Sequence, residues 1–259
     1  YEGERFQRKF WAWEDEMRAG VQVGLLTASS FARAKLSGEE HNTVWKDLRE
    51  RLLSDPTAKR FRIIESLDPR VECRMARQPV AVDGDLGDWK GVPAIHLEPV
   101  EGDKESGCKA WFKMAWDRGF FYFACQVTED ELVQDRADSL IWMKDSVQIG
   151  FDPRLDGLAN AGYGEDDSEI GFAFSPDGPV VWRWKSPKGL PAGAVEGADL
   201  RIRREGNQTT YEAAIPWSQL SFAKVDKGVS FGFSVAVNDA GAKRPRASLE
   251  WGGGIVRTK

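Results

Sequence analysis

The sequence predicts a mainly β protein, an antiparallel two-sheet β-sandwich of jelly-roll-like type preceded by an N-terminal helical segment. Apolar residues recur at helical spacing in residues 1–60. From about residue 80, short runs alternate with a period of two, and clusters of Gly, Pro, Asp and Asn divide them. Many short strands joined by such turns are typical of a sandwich. We therefore divide the chain into a helical segment or linker, residues 1–79, and a β-sandwich, residues 80–259.

The helical segment carries an aromatic face. Phe6, Phe10, Trp13 and Met17 recur at a spacing that places them on one side of a helix. A segment this short has a small core of its own, so we expect the face to pack on another part of the protein. We favour an internal packing face over an interaction surface, because aromatic faces are usually buried.

Eight strands are predicted in the second part, each from a short apolar or alternating run. They span residues 109–116, 120–128, 145–151, 168–174, 180–185, 200–204, 210–215 and 229–238. Between the first two, the sequence Asp117-Arg118-Gly119 has the composition of a tight turn. A turn this short joins antiparallel neighbours, which fits the sandwich.

Composition and charge exclude several classes of function. The chain of 259 residues is 41% hydrophobic and 30% charged, as in globular proteins. No apolar run approaches the ~20 residues of a membrane-spanning helix. The net charge is −5, which argues against nucleic acid as a partner. Because the chain starts with Tyr1 rather than Met, we interpret it as a mature or excised piece of a longer protein.

Few residues are suited to catalysis. Cys73, Cys108 and Cys125 fit no zinc spacing and are expected to be buried thiols rather than a disulfide framework. The chain has two histidines and no nucleophile elbow or phosphate loop. Glu169 and Glu212 are the acids that alternation places on one sheet face, but a sugar hydrolase would need two carboxylates held across a cleft. We therefore predict that this chain is not itself an enzyme.

One predicted sheet face consists of small residues. In strand 145–151, alternate residues are apolar, whereas Ser146, Gln148 and Gly150 point the other way. Similar positions in later strands are Glu169, Gly171, Ala173, Glu212, Ala214, Gly232, Ser234 and Ala236. Small side chains let a second body approach the sheet closely, and that body could be a carbohydrate or a protein segment.

Tryptophans accompany this face. Trp142 precedes strand 145–151, and an indole there could stack on the apolar side of a sugar ring. Gln148 and Glu169 could bond to sugar hydroxyls. Trp182 and Trp184 lie two apart on one face of their strand, where they belong either to the core or to a binding surface.

Acidic residues suggest a structural calcium ion. Asp83, Asp85 and Asp88 lie in a Gly-rich turn, and carboxylate oxygens in a flexible loop suit Ca²⁺. The run 165–167 (Glu-Asp-Asp) is a second candidate. The spacing is not that of an EF-hand, and solvated turn acids are the alternative.

Five segments in order resemble the family-9 carbohydrate-binding modules of the DOMON-like sandwich group. They are 82–89 (VDGDLGDW), 116–127 (WDRGFFYFACQV), 142–149 (WMKDSVQI), 211–217 (YEAAIPW) and 232–251, which ends at Trp251. The resemblance covers residues 80–259 and implies a module that binds polysaccharides or free sugar ends, commonly in an extracellular glycan-degrading enzyme. It also implies a clamp of two tryptophans, with Trp142 as the first, Gln148 in place of a glutamate and Glu169 near a second polar position. Members often carry structural calcium.

The chain departs from the family pattern at the second clamp tryptophan. That residue normally comes from a loop after the closing tryptophan, but here Trp251 is followed at once by three glycines. Trp182 and Trp184 could replace it. A lone exposed tryptophan would contribute ~1–3 kcal/mol by analogy with aromatic stacking on bases, which predicts weak binding.

Two hypotheses remain open. In the first, the chain is a carbohydrate-binding module of a larger secreted protein, extracellular or periplasmic, that binds an oligo- or polysaccharide. In the second, it is a structural or docking sandwich with a degenerate sugar site that packs on a catalytic domain of the same polypeptide. The first hypothesis rests on Trp142, Gln148 and the small-residue face, and it expects that face to be vacant and Trp142 to be accessible.

Overall fold

The computed structural model describes residues 71–100, 107–155, 163–241, 247–252 and 255. The helices predicted for residues 1–60 lie outside this part of the chain. Apart from Val71 and Tyr163, the described residues all belong to one compact unit, Glu72–Leu155 and Gly164–Lys259.

The described residues form thirteen strands. In chain order these are β1 (Arg74–Met75), β2 (Ile95–His96), β3 (Glu98–Pro99), β4 (Lys109–Trp116), β5 (Phe120–Thr128), β6 (Ser146–Asp152), β7 (Ser168–Ser175), β8 (Gly178–Lys185), β9 (Gly193–Ala194), β10 (Asp199–Glu205), β11 (Gln208–Pro216), β12 (Gly232–Asp239) and β13 (Ala247–Trp251). Short 3₁₀ turns lie at Leu86–Trp89, Ile141–Met143 and Trp217–Gln219.

The strands form two sheets that pack as a sandwich. The six-stranded sheet has the order β1-β4-β5-β11-β10, with β2 also paired to β4. The seven-stranded sheet has the order β3-β13-β12-β6-β7-β8-β9. Among the described strands, the β1–β4 pair is parallel and the other pairs are antiparallel. The predicted two-sheet sandwich is confirmed.

All eight predicted strands are present, and those at 109–116 and 120–128 match at both ends. The boundary at residue 79 is wrong in one respect. Arg74–Met75 is a strand that pairs with Ala115 and Trp116, so these residues belong to the six-stranded sheet rather than to a helical segment. Two residues are too few to show a periodicity, which is why the sequence did not reveal this strand.

An aromatic core fills the space between the sheets. Phe121 and Phe233 come from opposite sheets, and their ring centroids lie 5.6 Å apart. Phe151 packs edge-on against both, at 5.0 and 5.1 Å. Trp217 and Trp251 pack against the same cluster. Edge-to-face rings add to the hydrophobic stabilisation of such a core.

The three cysteines are free thiols, as predicted. Cys108 and Cys125 are buried, and Cys73 is half-buried. Burial raises the pKa of Cys73 to about 12, with a further contribution from the charge of Glu72. Burial also raises the pKa of Cys125.

In the part of the chain that the structure describes, no helix has the length and apolar character needed to cross a bilayer.

Candidate functional site

The outer face of the seven-stranded sheet carries the small residues. Neighbouring strands β12, β6 and β7 place Gln148 between Ala236 and Gly171. Gly150 lies in the same way between Ser234 and Glu169. Alternation therefore predicted correctly which side chains of these three strands share the face.

Glu212 and Ala214, also predicted on this face, lie elsewhere. Both belong to β11 in the six-stranded sheet. Alternation reveals which residues share a face within one strand, but it does not reveal which strands share a sheet. Glu169 and Glu212 therefore cannot act together across a cleft, which removes the pair of acids considered for catalysis.

Glu212 instead holds the opening turn of the sandwich. It is fully buried and accepts hydrogen bonds from Nε1 of Trp89 at 2.7 Å and from the backbone N–H groups of Asp83 and Gly84 at 3.0 and 2.7 Å. Burial raises the pKa of Glu212, and these hydrogen bonds oppose the shift. Its role in the described structure is to anchor the turn.

Side chains of the same chain cover the centre of the small-residue face. A Cβ placed on Gly171 would lie 2.3 Å from Cη2 of Trp184 and 3.4 Å from Cδ1 of Ile141. A Cβ placed on Gly150 would lie 3.6 Å from the side chain of Ile255. The small residues thus allow the chain itself to approach the sheet closely.

The two polar candidates below this cover are buried. Gln148 is 1% exposed and Glu169 is 4% exposed. The expectation of a vacant face is therefore wrong around these residues. Of the two bodies that the sequence left open, a protein segment occupies this position.

Trp142 lies at the rim of the same face and is half-buried. It belongs to the 3₁₀ turn Ile141–Met143, which packs against β6 and β7. Ile141 is fully buried, whereas Met143 is 42% exposed. The turn therefore points one residue into the molecule and leaves its neighbours at the surface.

Polar contacts fix the loop that carries Trp142. Nε2 of Gln134 donates to the carbonyl oxygens of Ile141 and Asp145, at 3.1 and 2.9 Å. The carboxylate of Asp145 accepts hydrogen bonds from the backbone N–H groups of Val133 and Ala240. These contacts hold both ends of the loop against the strands.

Trp182 and Trp184 lie on the outer side of β8 and are half-buried. Trp182 is directly opposite Gly171 in the strand pair, and the buried Arg183 between the two tryptophans is opposite Ile170 of the core. Neither tryptophan belongs to the core, so the core interpretation is wrong for both.

The predicted calcium ligands of the opening turn are exposed and act as turn residues. Asp83 accepts a hydrogen bond from the N–H of Asp85 at 2.7 Å, and Asp85 accepts one from Gly87 at 3.0 Å. Asp88 accepts one from Ala81 at 3.0 Å. The groups of three acids that the described residues bring together do not include these.

Two other groups of carboxylates come together. Asp152, Asp166 and Asp167 each place an oxygen within 4.8 Å of the others, so two acids of the 165–167 run are joined by the end of β6. Glu165 instead forms an exposed ion pair with Lys188 at 3.2 Å.

The second group is Glu129, Asp145 and Asp239, all buried. Arg204 and Thr209 each lie 3.1 Å from Oε1 of Glu129, so this group already has a cation. Burial raises the pKa of Glu129 to about 7, and the charges of Asp145 and Asp239 act in the same direction. The hydrogen bond from Thr209 and the positive charge of Arg204 oppose the shift.

Comparison with protein families decides the relationship suggested by the five segments. Residues 82–251 match the family described as carbohydrate family 9 binding domain-like. The chain belongs to this family. No significant match was found among curated proteins.

Solved family 9 modules share the fold. A carbohydrate-binding module family 9 from Caldicellulosiruptor kristjanssonii in complex with cellotriose has a TM-score of 0.54 and 20% identity, covering 69% of this chain and 82% of that chain. The module from the same organism in complex with glucose also has a TM-score of 0.54, with 22% identity, covering 68% and 83%.

Two residues of this family 9 sandwich that cover the face were not predicted. Ile141 adjoins Trp142, but a single apolar residue in a loop carries no periodicity that would place it on the sheet. Ile255 follows the glycine run after Trp251, and its backbone N–H bonds to Oε1 of Glu250 at 3.0 Å. The available signal was the pair of glycines, Gly150 and Gly171, because a glycine within a strand often marks a close approach.

Proposed function

We propose that the chain is a non-catalytic carbohydrate-binding module of a larger secreted glycan-processing protein, working outside the cytoplasm. One observation carries the proposal. In a chain of the family 9 binding domains, Trp142 is held half-buried at the rim of the sheet face by a fixed loop. The modules that share its fold were solved with cellotriose and glucose, which supports a glucose-based glycan as the first class to test.

Stacking on Trp142 is the main contact in this proposal. An indole at a rim offers a flat apolar surface to the C–H side of a sugar ring. Trp182, on the outer side of β8, is a second half-buried indole. Gln148 and Glu169 are nearly fully buried, so a hydroxyl reaches them only when the covering side chains shift. We therefore propose weak binding.

The burial of Gln148 and Glu169 also favours a second candidate function. A docking sandwich that packs against a catalytic domain needs no accessible polar row on this face. In that case Ile141, Trp184 and Ile255 complete a second hydrophobic layer, and no glycan is bound.

Affinity electrophoresis of the whole chain against cellulose-type and xylan-type glycans separates the two candidates. We expect retention on one glycan class, which Trp142→Ala weakens by about 1–3 kcal/mol, or about 5- to 150-fold in Kd, because the stacking surface is removed. Titration with the matching soluble oligosaccharides gives the Kd.

Trp111→Ala is the matched control. Trp111 is also half-buried, but it lies in β4 of the other sheet, where Lys113 Nζ sits 5.4 Å from its ring centroid. Its removal should leave retention unchanged. Equal retention of Trp142→Ala and the parent chain, or no retention on any glycan, would favour the docking sandwich.

We further propose that the structural calcium ion expected from the sequence is held by Asp152, Asp166 and Asp167. Their oxygens are of the type that Ca²⁺ prefers, and Asp166 and Asp167 are buried. Oδ1 of Asp166 accepts no hydrogen bond, and its nearest cation is Nη1 of the exposed Arg154 at 3.7 Å.

Thermal unfolding with and without calcium tests this site. We expect 1 mM Ca²⁺ to raise Tm relative to EDTA by several degrees, because a ligand that binds only the folded state stabilises it. Asp166→Asn should abolish the shift, and Asp83→Asn should retain it. A shift lost in Asp83→Asn but kept in Asp166→Asn would return the site to the opening turn.

A further inference from the structure

Trp184 stands at an irregularity in β8. Glu169 of β7 pairs with Lys185, but the next residue, Ile170, pairs with Arg183. Trp184 is therefore an extra residue inserted into the strand at this point. A bulge of this kind bends the strand locally, and Trp184 stays on the outer side of β8 together with Trp182.

The indole of Trp184 lies over a glycine of the neighbouring strand, Gly171. A Cβ on residue 171 would lie 2.3 Å from Cη2 and 2.4 Å from Cζ3 of Trp184, distances that real Cβ contacts do not reach. The far edge of the six-membered ring thus occupies the space that any other residue at position 171 would need.

The same indole is bonded to the loop that carries Trp142. Nε1 of Trp184 donates to the carbonyl oxygen of Ser139 at 2.6 Å. Cδ1 of Ile141 also reaches the space above Gly171, at 3.4 Å from the same Cβ position. The ring of Trp184 and the side chain of Ile141 therefore meet over Gly171. Ser139, through its hydrogen bond to Trp184, and Ile141, through its packing, hold the turn to the sheet on either side of Leu140.

We propose that Trp184 is a positioning residue for Trp142 rather than a sugar-stacking residue. A one-turn 3₁₀ segment, with Leu140 and Met143 exposed, has little local stability and depends on such contacts for its orientation. The orientation of Trp142 follows that of its turn. This inference rests on the proposed sugar binding at Trp142.

The geometry also decides against Trp184 as the replacement for the second clamp tryptophan. Its indole N–H donates a hydrogen bond to Ser139, and the far edge of its ring packs on Gly171. To stack on a sugar, the ring would have to leave both contacts, and the turn that carries Trp142 would lose one of its anchors at the same time.

Trp184→Phe tests the role while keeping an aromatic ring. It removes the indole N–H that donates to the carbonyl oxygen of Ser139. We therefore expect faster amide exchange at Met143 and Lys144, whose N–H groups donate to the carbonyl oxygens of Leu140 and Ile141 within the turn. A glycan that is retained by the parent chain should bind about three- to tenfold more weakly, as for loss of one hydrogen bond. Trp182→Phe is the control and should leave amide exchange in the turn unchanged.

Gly171→Ala is the second variant and should displace the ring, giving the same faster exchange in the turn. If circular dichroism shows that the Gly171→Ala variant has lost its β-sheet structure, amide exchange in Trp184→Phe alone tests the positioning role. Unchanged exchange in Trp184→Phe overturns the inference.

A double-mutant cycle separates positioning from direct contact. If Trp184 acts through Trp142, the loss caused by Trp184→Phe shrinks in a Trp142→Ala background, where no indole is left to position, whereas independent sugar contacts give additive losses. Additive losses overturn the inference and leave the proposed function standing. If no glycan binds, the proposed function fails, and unchanged or faster exchange in the turn still decides whether Trp184 positions Trp142.

Discussion

At the scale of single residues, each sheet has a buried glutamate in a central strand, and the one in the six-stranded sheet has a structural role. Glu212 and Glu169 are both buried glutamates of central strands. Glu212 receives three hydrogen bonds that fasten the opening turn, including one from the buried Trp89. The glutamate of the 211–217 segment is therefore a structural residue of the sandwich.

Glu212→Gln should lower the free energy of unfolding by about 1–3 kcal/mol, because the amide group presents an N–H to donors that need an acceptor. Urea unfolding followed by tryptophan fluorescence measures the loss. Glu205→Gln is the control, since Glu205 forms only an exposed ion pair with Arg203 and should change stability little. Equal stabilities of the two variants would argue against the anchoring role.

The residue scale also shows how far the candidate site could be predicted. The positions of Trp142 just before β6 and of Gln148 within it were predicted from the sequence, because this strand has clear alternation, whereas their role in binding stays a prediction. The exposure of these two side chains was not predicted correctly, because it depends on Ile141, Trp184 and Ile255, which come from three separate parts of the chain. No local pattern encodes such a contact.

At the scale of elements, alternation worked where strands were long enough to repeat it. The eight strands of seven to nine residues were predicted, whereas the five-residue β13 and the four two-residue strands were not. Assigning strands to sheets failed for β11, since pairing is decided by contacts far apart in sequence. The bulge in β8 could not be predicted either, because an alternating pattern with a fixed period of two does not reveal an extra residue in a strand.

Arg183 lies on the inner side of β8, next to the bulge. It is fully buried, and its guanidinium donates to the carbonyl oxygen of Pro191 at 3.2 Å and to Gln219, on its backbone oxygen at 2.9 Å and its side-chain oxygen at 3.0 Å. Burial lowers the pKa of Arg183. The side chain links the seven-stranded sheet to the turn that follows β11.

Arg183→Leu should destabilise the fold by about 2–4 kcal/mol, because the fully buried guanidinium and its three hydrogen bonds to Pro191 and Gln219 are lost at once. Chemical denaturation gives the value. Arg201→Leu provides a comparison at an exposed site of β10 and should cost far less. A similar cost at both positions would show that the link between the sheets contributes little.

At the scale of the whole molecule, stability should depend on pH through the buried Glu129. Its pKa is raised from the usual 4.5 to about 7, so between these values the folded chain binds more protons than the unfolded chain. Stability from this group is therefore lost as pH rises from about 4.5 to about 7 and is constant above. Burial raises the pKa of Asp145 as well, which acts in the same direction.

Comparing the chain with Glu129→Gln isolates this contribution. On lowering the pH from 8 to 5.5, the stability of the parent chain relative to the variant should increase by about 2 kcal/mol. Urea unfolding at several pH values measures the difference. A constant difference across this range would show that Arg204 and Thr209 hold Glu129 ionised throughout.

The three free thiols have a practical consequence for studying this protein. Cys108 and Cys125 are buried, and the raised pKa of Cys73 keeps its sulfur protonated near neutral pH, whereas alkylating reagents react with thiolates. A cysteine introduced at the exposed Met143 would therefore be the preferred target of a maleimide dye in the native state. Such a dye, one residue from Trp142, would report a bound sugar as a change in fluorescence without first removing the natural thiols.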